Sequence, residues 1–170
     1  MRQAPGFTLV ETMLAVLLMA LLASAAVLSF AEPLRTARGR EAVDELIACD
    51  AGARQTAREQ GRALHLTLDP AADTASRYVG QTRLAQVVMP AGYRIGDVLV
   101  GRRMTRDSRV EVEISPSGWS RSYAIHVKGP GFNRWVAFAG LGGQASVVQD
   151  EETVRSIIAD AALPAGHDAD

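Results

Sequence analysis

Residues 1–30 read MRQAPGFTLVETMLAVLLMALLASAAVLSF. From Phe7 to Phe30 nearly every residue is apolar or small, yet Glu11 sits inside the run. As a helix, those roughly 24 residues reach about 36 Å at 1.5 Å per residue, enough to cross a hydrocarbon core of about 30 Å. A carboxylate at membrane depth costs roughly 2.5–3.5 kcal/mol at the helix centre and less toward an end. Arg2 precedes the run and no basic residue follows until Arg35. By the positive-inside rule Arg2 sets the N-terminus in the cytoplasm.

Three readings compete for this stretch. In a cleaved secretory signal, Met13 to Ala23 is the apolar region and Ala23-Ser24-Ala25 the small-residue cleavage site. Glu11 then puts a negative charge where the positively charged region should end. A plain single-pass anchor explains the length and leaves Glu11 as an uncompensated cost.

The third reading accounts for every residue. Gly6-Phe7-Thr8-Leu9-Val10-Glu11, with a short basic leader before it and an apolar helix after it, resembles the class III signal of type IV pilins and type II secretion pseudopilins. The resemblance implies that a prepilin peptidase cuts between Gly6 and Phe7 and methylates Phe7, so that Glu11 becomes the fifth mature residue. It also implies that Glu11 pairs with the N-terminal ammonium of a neighbouring subunit during docking. In low dielectric such a pair attracts strongly, whereas a lone carboxylate in lipid is expensive, so the penalty becomes a bias toward assembly. Residues 7 and 11 also lie one helical turn apart, and pairing within a single chain is open as well.

Beyond the apolar run the helical period continues. Ala42/Val43, Leu46/Ile47, Cys49, Ala53 and Ala57 form one face; Arg40, Glu41, Asp44, Glu45, Arg54, Arg58 and Glu59 fall on the others. The pattern predicts a helix over about 8–60, broken or kinked at Pro33, loosened at Gly39, and stopped at Gly61. Cys49 is the single cysteine, so no intramolecular disulfide forms; it reads as a small buried residue.

From Ala63 the period becomes two. Leu64, Leu66 and Leu68 alternate with His65, Thr67 and Asp69, predicting a strand ended at Asp69-Pro70, then a loop to Tyr78. Short strands are expected at 87–89 and 95–100. The alternations at 110–114, 123–127 and 134–139, separated by Ser115-Pro116-Ser117-Gly118 and Gly129-Pro130-Gly131, predict an antiparallel meander, with a further strand at 144–148. This region is similar to the H-type minor pseudopilins and to the pilin-like FimT proteins. The shared pattern is a helix rich in Ala, Arg and Gln running into a strand, then a Gly-containing turn, two strands, and a Gly-rich turn into a last strand. The family's last turn is commonly Thr-Gly; here it is Gly142-Gly143.

The expected fold is therefore α+β: a long N-terminal helix packed on a small antiparallel β-sheet domain. The expected divisions are a leader (1–6), a membrane and assembly helix (7–30), its amphipathic continuation (31–62), a periplasmic β domain (63–150), and a short helix with a disordered tail (151–170).

Little in the chain suggests catalysis. His65, His126 and His167 lack ligand-like spacing, and the first two fall on the polar faces of strands. Gly140 to Gly143 lies between strands, without the helix N-terminus that a phosphate cradle needs. Ser117 has no base partner in the pattern. Asp150-Glu151-Glu152 reads as a solvated helix start before Val154, Ile157 and Ile158 rather than a calcium loop. Arg102, Arg103, Arg106 and Arg109 form one basic cluster, but the net charge is -1 and the C-terminus is acidic, which disfavours nucleic acid.

No cofactor, metal or enzymatic activity is expected. The resemblance implies a subunit of the type II secretion pseudopilus in the bacterial inner membrane, crossing it once, with its β domain in the periplasm. Its partners would be other pseudopilins, the prepilin peptidase, the inner-membrane assembly platform and the bilayer. Glu11 speaks against the tip-most subunit type, which typically lacks that acid. A minor pilin of a type IV pilus, serving assembly or DNA uptake, and a membrane-anchored periplasmic binding domain that does not polymerise are the alternatives.

Overall fold

A computed structural model of the chain describes residues 8–106 and 108–160, and for residues 25–31 the backbone alone. Helix α1 runs Leu9–Gln60. Thr8 caps its start: the residue is extended, and its side-chain oxygen accepts the backbone N–H of Glu11 at 3.3 Å. Gly61 caps the end in the left-handed conformation (φ 59°), its N–H reaching the Ala57 carbonyl. The predicted break at Pro33 does not occur, since the helix continues on both sides of it. Proline removes one backbone bond, whereas ending the helix would strand four donors and four acceptors.

The second half of α1 is buried along one stripe: Ala42, Val43, Leu46, Cys49, Asp50, Ala53, Arg54 and Ala57. Gly39 gives no looseness there. The Phe132 ring lies where a Cβ at Gly39 would stand, so the glycine permits close packing rather than bending.

Nine strands follow among the described residues: β1 (Leu64–Asp69), β2 (Thr74–Val79), β3 (Thr82–Val88), β4 (Arg94–Val100), β5 (Arg103–Thr105), β6 (Val110–Ile114), β7 (Tyr123–Gly129), β8 (Phe132–Phe138) and β9 (Ala145–Val148). They form two antiparallel sheets, ordered β3-β2-β1-β6 and β5-β4-β7-β8-β9. Two expectations change. The polar stretch after Asp69 is mostly strand, not loop. A tight turn pairs Asp69 with Thr74, helped by Asp73 at φ 52° and by the Ala72 N–H on Asp69. Residues of β2 look polar because the first sheet has an open face; only Ala75 and Ser76 are fully buried.

The meander also starts one strand later than predicted. Gly118 N–H closes the turn on the Ser115 carbonyl, but β6 pairs with β1 and not with β7. The chain crosses from one sheet to the other through 115–122, where Ile114 and Ser120 form an isolated antiparallel bridge. The meander is β7-β8-β9.

The main core lies between α1 and the inner faces of both sheets. Helix α2 (Glu151–Asp160) closes the outer face of the second sheet, where Val154 and Ile158 pack on Leu99, Ala124, Trp135 and Ala137. Asp150 caps it, its carboxylate accepting the N–H of Thr153 at 2.8 Å, which is the solvated helix start expected there. Residues 161–170, including the predicted tail and His167, lie outside the described residues.

Candidate assembly helix and its anchor

Over residues 9–24 of α1 every side chain is exposed. Leu9, Val10, Met13, Leu14, Val16, Leu17, Leu18, Met19, Leu21 and Leu22 are all exposed. Ten large apolar side chains open to the surroundings form a surface far beyond the few hundred Å² a soluble monomer tolerates. Glu11 lies in the first turn, also exposed, on a backbone fixed by the Thr8 cap. Gly6 and Phe7, where cleavage is expected, lie outside the described residues. Among the described residues no helix is long and apolar enough to cross a membrane.

The domain grips the second half of α1 at two levels. Near its start, Tyr93 donates its hydroxyl to the Arg35 carbonyl, and Phe132 meets Tyr93 edge-on and covers Gly39. Near its end stands a buried ion pair. Arg54 Nε lies 2.7 Å from Asp50 Oδ2, with the side chains 3% and 1% exposed. Arg54 Nη1 donates to the carbonyls of Gly118 and Gly140, both at 2.9 Å, and Nη2 to Ser120 Oγ at 2.9 Å. Tyr123 donates its hydroxyl to Asp50 Oδ1 at 2.7 Å and stacks on Phe138. Burial, and then the Asp50 charge, push the Tyr123 phenol well above its ordinary range, so it stays a donor. One guanidinium thus ties the helix to the 115–122 crossing and to the turn after β8. Gly143 takes the left-handed conformation (φ 65°) beside the Arg54 side chain, which leaves no room for a Cβ.

Periodicity placed Arg54 on the solvated side of the helix; it is in the core. Asp50 and Arg54 are spaced i, i+4 and fall on the stripe of Leu46, Ala53 and Ala57, which is the signal that could have found them. His126, expected as a solvated or hydrogen-bonded strand histidine, is hydrogen-bonded. It faces outward on β7 yet is buried, stacked on Trp135 at 4.3 Å, with its ring nitrogens 3.2 Å from Asp97 Oδ2 and 2.6 Å from Asn133 Oδ1. Asp97 also receives Lys128 at 2.9 Å and Arg106 at 2.7 Å. Burial raises the Asp97 pKa, but the bonds from Lys128 and His126 and the charges of Lys128 and Arg106 outweigh it and bring the pKa down to about 2.

The arginine cluster is partly spent. Arg106 is held by Asp97, and Arg109 by Asp69 at 2.9 Å. Arg103 opens the short strand β5. Cys49 is buried, and that burial raises its thiol pKa. Among the described residues no cluster of three His, Cys, Asp or Glu could hold a metal.

Residues 1–27 match the family model of the prokaryotic N-terminal methylation motif. Two solved structures of the minor pseudopilin EpsH, from the type 2 secretion system of Vibrio cholerae, share the fold. They are 11% and 10% identical, each with a TM-score of 0.53, over 66% of this chain and 96% of theirs. The fold is that of a minor pseudopilin. Comparison with curated proteins gives no match at the sequence level. The chain is thus pilin-like in two respects: an N-terminal methylation motif, which implies membrane anchoring, leads into α1, and a fold shared with the minor pseudopilin structures holds the second half of that helix. Pilin-like proteins typically do no catalysis, and their expected partners are other pilin-like subunits.

Proposed function

We propose that the chain is a minor pseudopilin of a type II secretion system, a non-enzymatic filament subunit that supports export of folded proteins. The observation that carries this is the methylation motif over residues 1–27 joined to a minor-pseudopilin fold. In this reading a prepilin peptidase cuts between Gly6 and Phe7 and methylates Phe7. The apolar half of α1 stands in the inner membrane, N-terminus cytoplasmic and β domain periplasmic, until the assembly platform moves it into the filament. Its exposed leucines then exchange lipid for the helices of neighbouring subunits, which conserves an apolar environment. Glu11 exchanges lipid for the new ammonium of a neighbour, which favours the filament over the membrane.

Mass spectrometry of the protein from cells with an intact secretion system tests the processing. The expected N-terminus is N-methylated Phe7; an intact Met1 or a terminus at Ala26 overturns the reading. Glu11→Ala tests the assembly role. Membrane extraction should be unchanged while cross-linking to other pseudopilins falls on the order of tenfold, the factor for about 1.4 kcal/mol. Unchanged cross-linking would remove Glu11 from assembly.

A further inference from the structure

Strand β8 runs alongside α1. Its first residue, Phe132, covers Gly39, and the Gly140 carbonyl just past its end takes a bond from Arg54. The helix rises about 22 Å between those points at 1.5 Å per residue, and the strand spans about 26 Å over the same course at 3.3 Å per residue. The two therefore lie parallel, and the β7–β8 turn, with the start of β4, is the pole of the domain nearest the apolar half of α1.

That pole is basic. Arg94 begins β4 next to Tyr93, whose hydroxyl reaches the Arg35 carbonyl. The Arg134 guanidinium lies 5.9 Å from the centre of the Phe132 ring. Arg35, Arg38 and Arg40 follow the apolar run on α1, all exposed. No ion pair engages any of these five among the described residues, whereas Arg106 and Arg109, and Lys128 opposite Arg94 in the sheet, are each held by a carboxylate. The acids near it are Glu32 and Glu41 on the helix and Asp73, which takes the Ile95 N–H at 2.9 Å beside Arg94; three carboxylates against five arginines leave the pole net positive.

Its height fits a membrane surface. Arg35 stands about 7 Å beyond Phe30 along the helix and Arg40 about 15 Å. The headgroup layer fills roughly the first 5–8 Å past the hydrocarbon, and the surface potential extends about a Debye length, 8 Å, further.

We propose that Arg94 and Arg134, with Arg35, Arg38 and Arg40, form a docking surface for anionic phospholipid headgroups, which seats the β domain on the bilayer before assembly. The proposal rests on the membrane-anchored reading above. Docking fixes the angle between the domain and the membrane, and it must be released when the subunit rises into a filament. Acidic lipid around the subunit thus becomes a brake on extraction, one that salt weakens.

The test uses the full chain in nanodiscs of phosphatidylcholine, alone or mixed with phosphatidylglycerol, and reads amide relaxation from spin-labelled lipids. A headgroup label should broaden Gly131 and Asn133 in the anionic discs only, and high salt should abolish this. Arg94→Gln with Arg134→Gln should lower the ratio of docked to undocked domain about 25-fold, at roughly fivefold per arginine; lysine at both positions should restore it. Equal broadening in neutral discs, or no change in the glutamine variant, overturns the proposal. Inorganic phosphate that shifts the same amides without a bilayer also overturns it, by assigning the site to a free anion. An acyl-chain label should broaden residues 9–24 in every disc. If it does so and the headgroup signal is missing, only the docking surface falls; if it does not, the membrane-anchored reading falls too.

Discussion

The two halves of α1 share one backbone and differ in what surrounds them. Residues 9–22 present leucine, valine and methionine and pack on nothing else among the described residues. Residues 42–57 present a narrow stripe in which Ala42, Ala53 and Ala57 stand beside Val43, Leu46 and Cys49, and pack on both sheets. Large side chains suit a helix whose neighbours are lipid or other helices. Small ones let a sheet come close, as Phe132 does over Gly39. The domain's stability should therefore be set by the second half alone, and assembly by the first.

The largest break in that division is expected from Arg54→Ala. It leaves Asp50 charged and 1% exposed, with Tyr123 as its remaining side-chain partner, and takes a donor from the Gly118 and Gly140 carbonyls, of which Gly140 keeps the Ser120 N–H. Removing one partner of a buried pair costs about 3–5 kcal/mol. Urea unfolding of the full chain in detergent measures it. A loss below about 1 kcal/mol is what a solvent-exposed pair would give, and would mean that water reaches the site.

Gly39→Ala should come next. Alanine gains about 1 kcal/mol of helix propensity. The added Cβ runs into the Phe132 ring, however, and overpacking costs about 1–3 kcal/mol. A net loss of up to about 2 kcal/mol follows from the difference of those two terms. Phe132→Leu in the same chain makes room, so the second substitution should recover part of what the first loses. If Gly39→Ala stabilises by itself, the helix–sheet approach is looser than the packing implies.

A smaller, pH-dependent effect belongs to Asp97. Its carboxyl is held at about 2 in the folded chain against an ordinary value of 3.8. A depressed carboxyl stabilises the fold above its ordinary pKa, and that contribution is lost as pH falls from 3.8 toward 2. Asp97→Asn should lower the melting temperature at pH 7, and the gap to the unsubstituted chain should narrow across that acid window. A gap that stays constant to pH 2 would mean the charge on Asp97 contributes nothing.

Much of this was legible in the sequence, because period and punctuation are local. Gly6 to Glu11 carried the motif, the 3.6-residue repeat carried α1, and Gly61 carried its end. What was not legible depends on partners distant in the chain. Whether 115–118 joins β6 to β7 or moves the chain between sheets depends on β1, more than forty residues earlier. The polar look of β2 concealed a strand because its sheet has an open face. Arg54 read as solvated because single-residue chemistry says so, yet Asp50 on its own helix and three groups from other parts of the chain satisfy it; the burial of His126, a strand histidine read as solvated or hydrogen-bonded, depends likewise on Trp135, Asp97 and Asn133 around it. Glu11 needed no tertiary context, since its oddity lies in its apolar neighbours.

The smallest effect is the one that isolates the first half of the helix. Leu17 is 59% exposed and Leu46 is 2% exposed, on the same helix. Leu46→Ala opens a cavity in the core and should cost about 2–5 kcal/mol. Leu17→Ala removes the same atoms from a surface that meets only detergent or lipid, and should change the domain's unfolding by no more than about 0.5 kcal/mol. Its cost should appear only where a neighbouring helix replaces lipid, as reduced cross-linking between subunits. Should Leu17→Ala destabilise the isolated chain as Leu46→Ala does, the first half of α1 folds back on the domain, and the separation between a stable body and an assembly helix is lost.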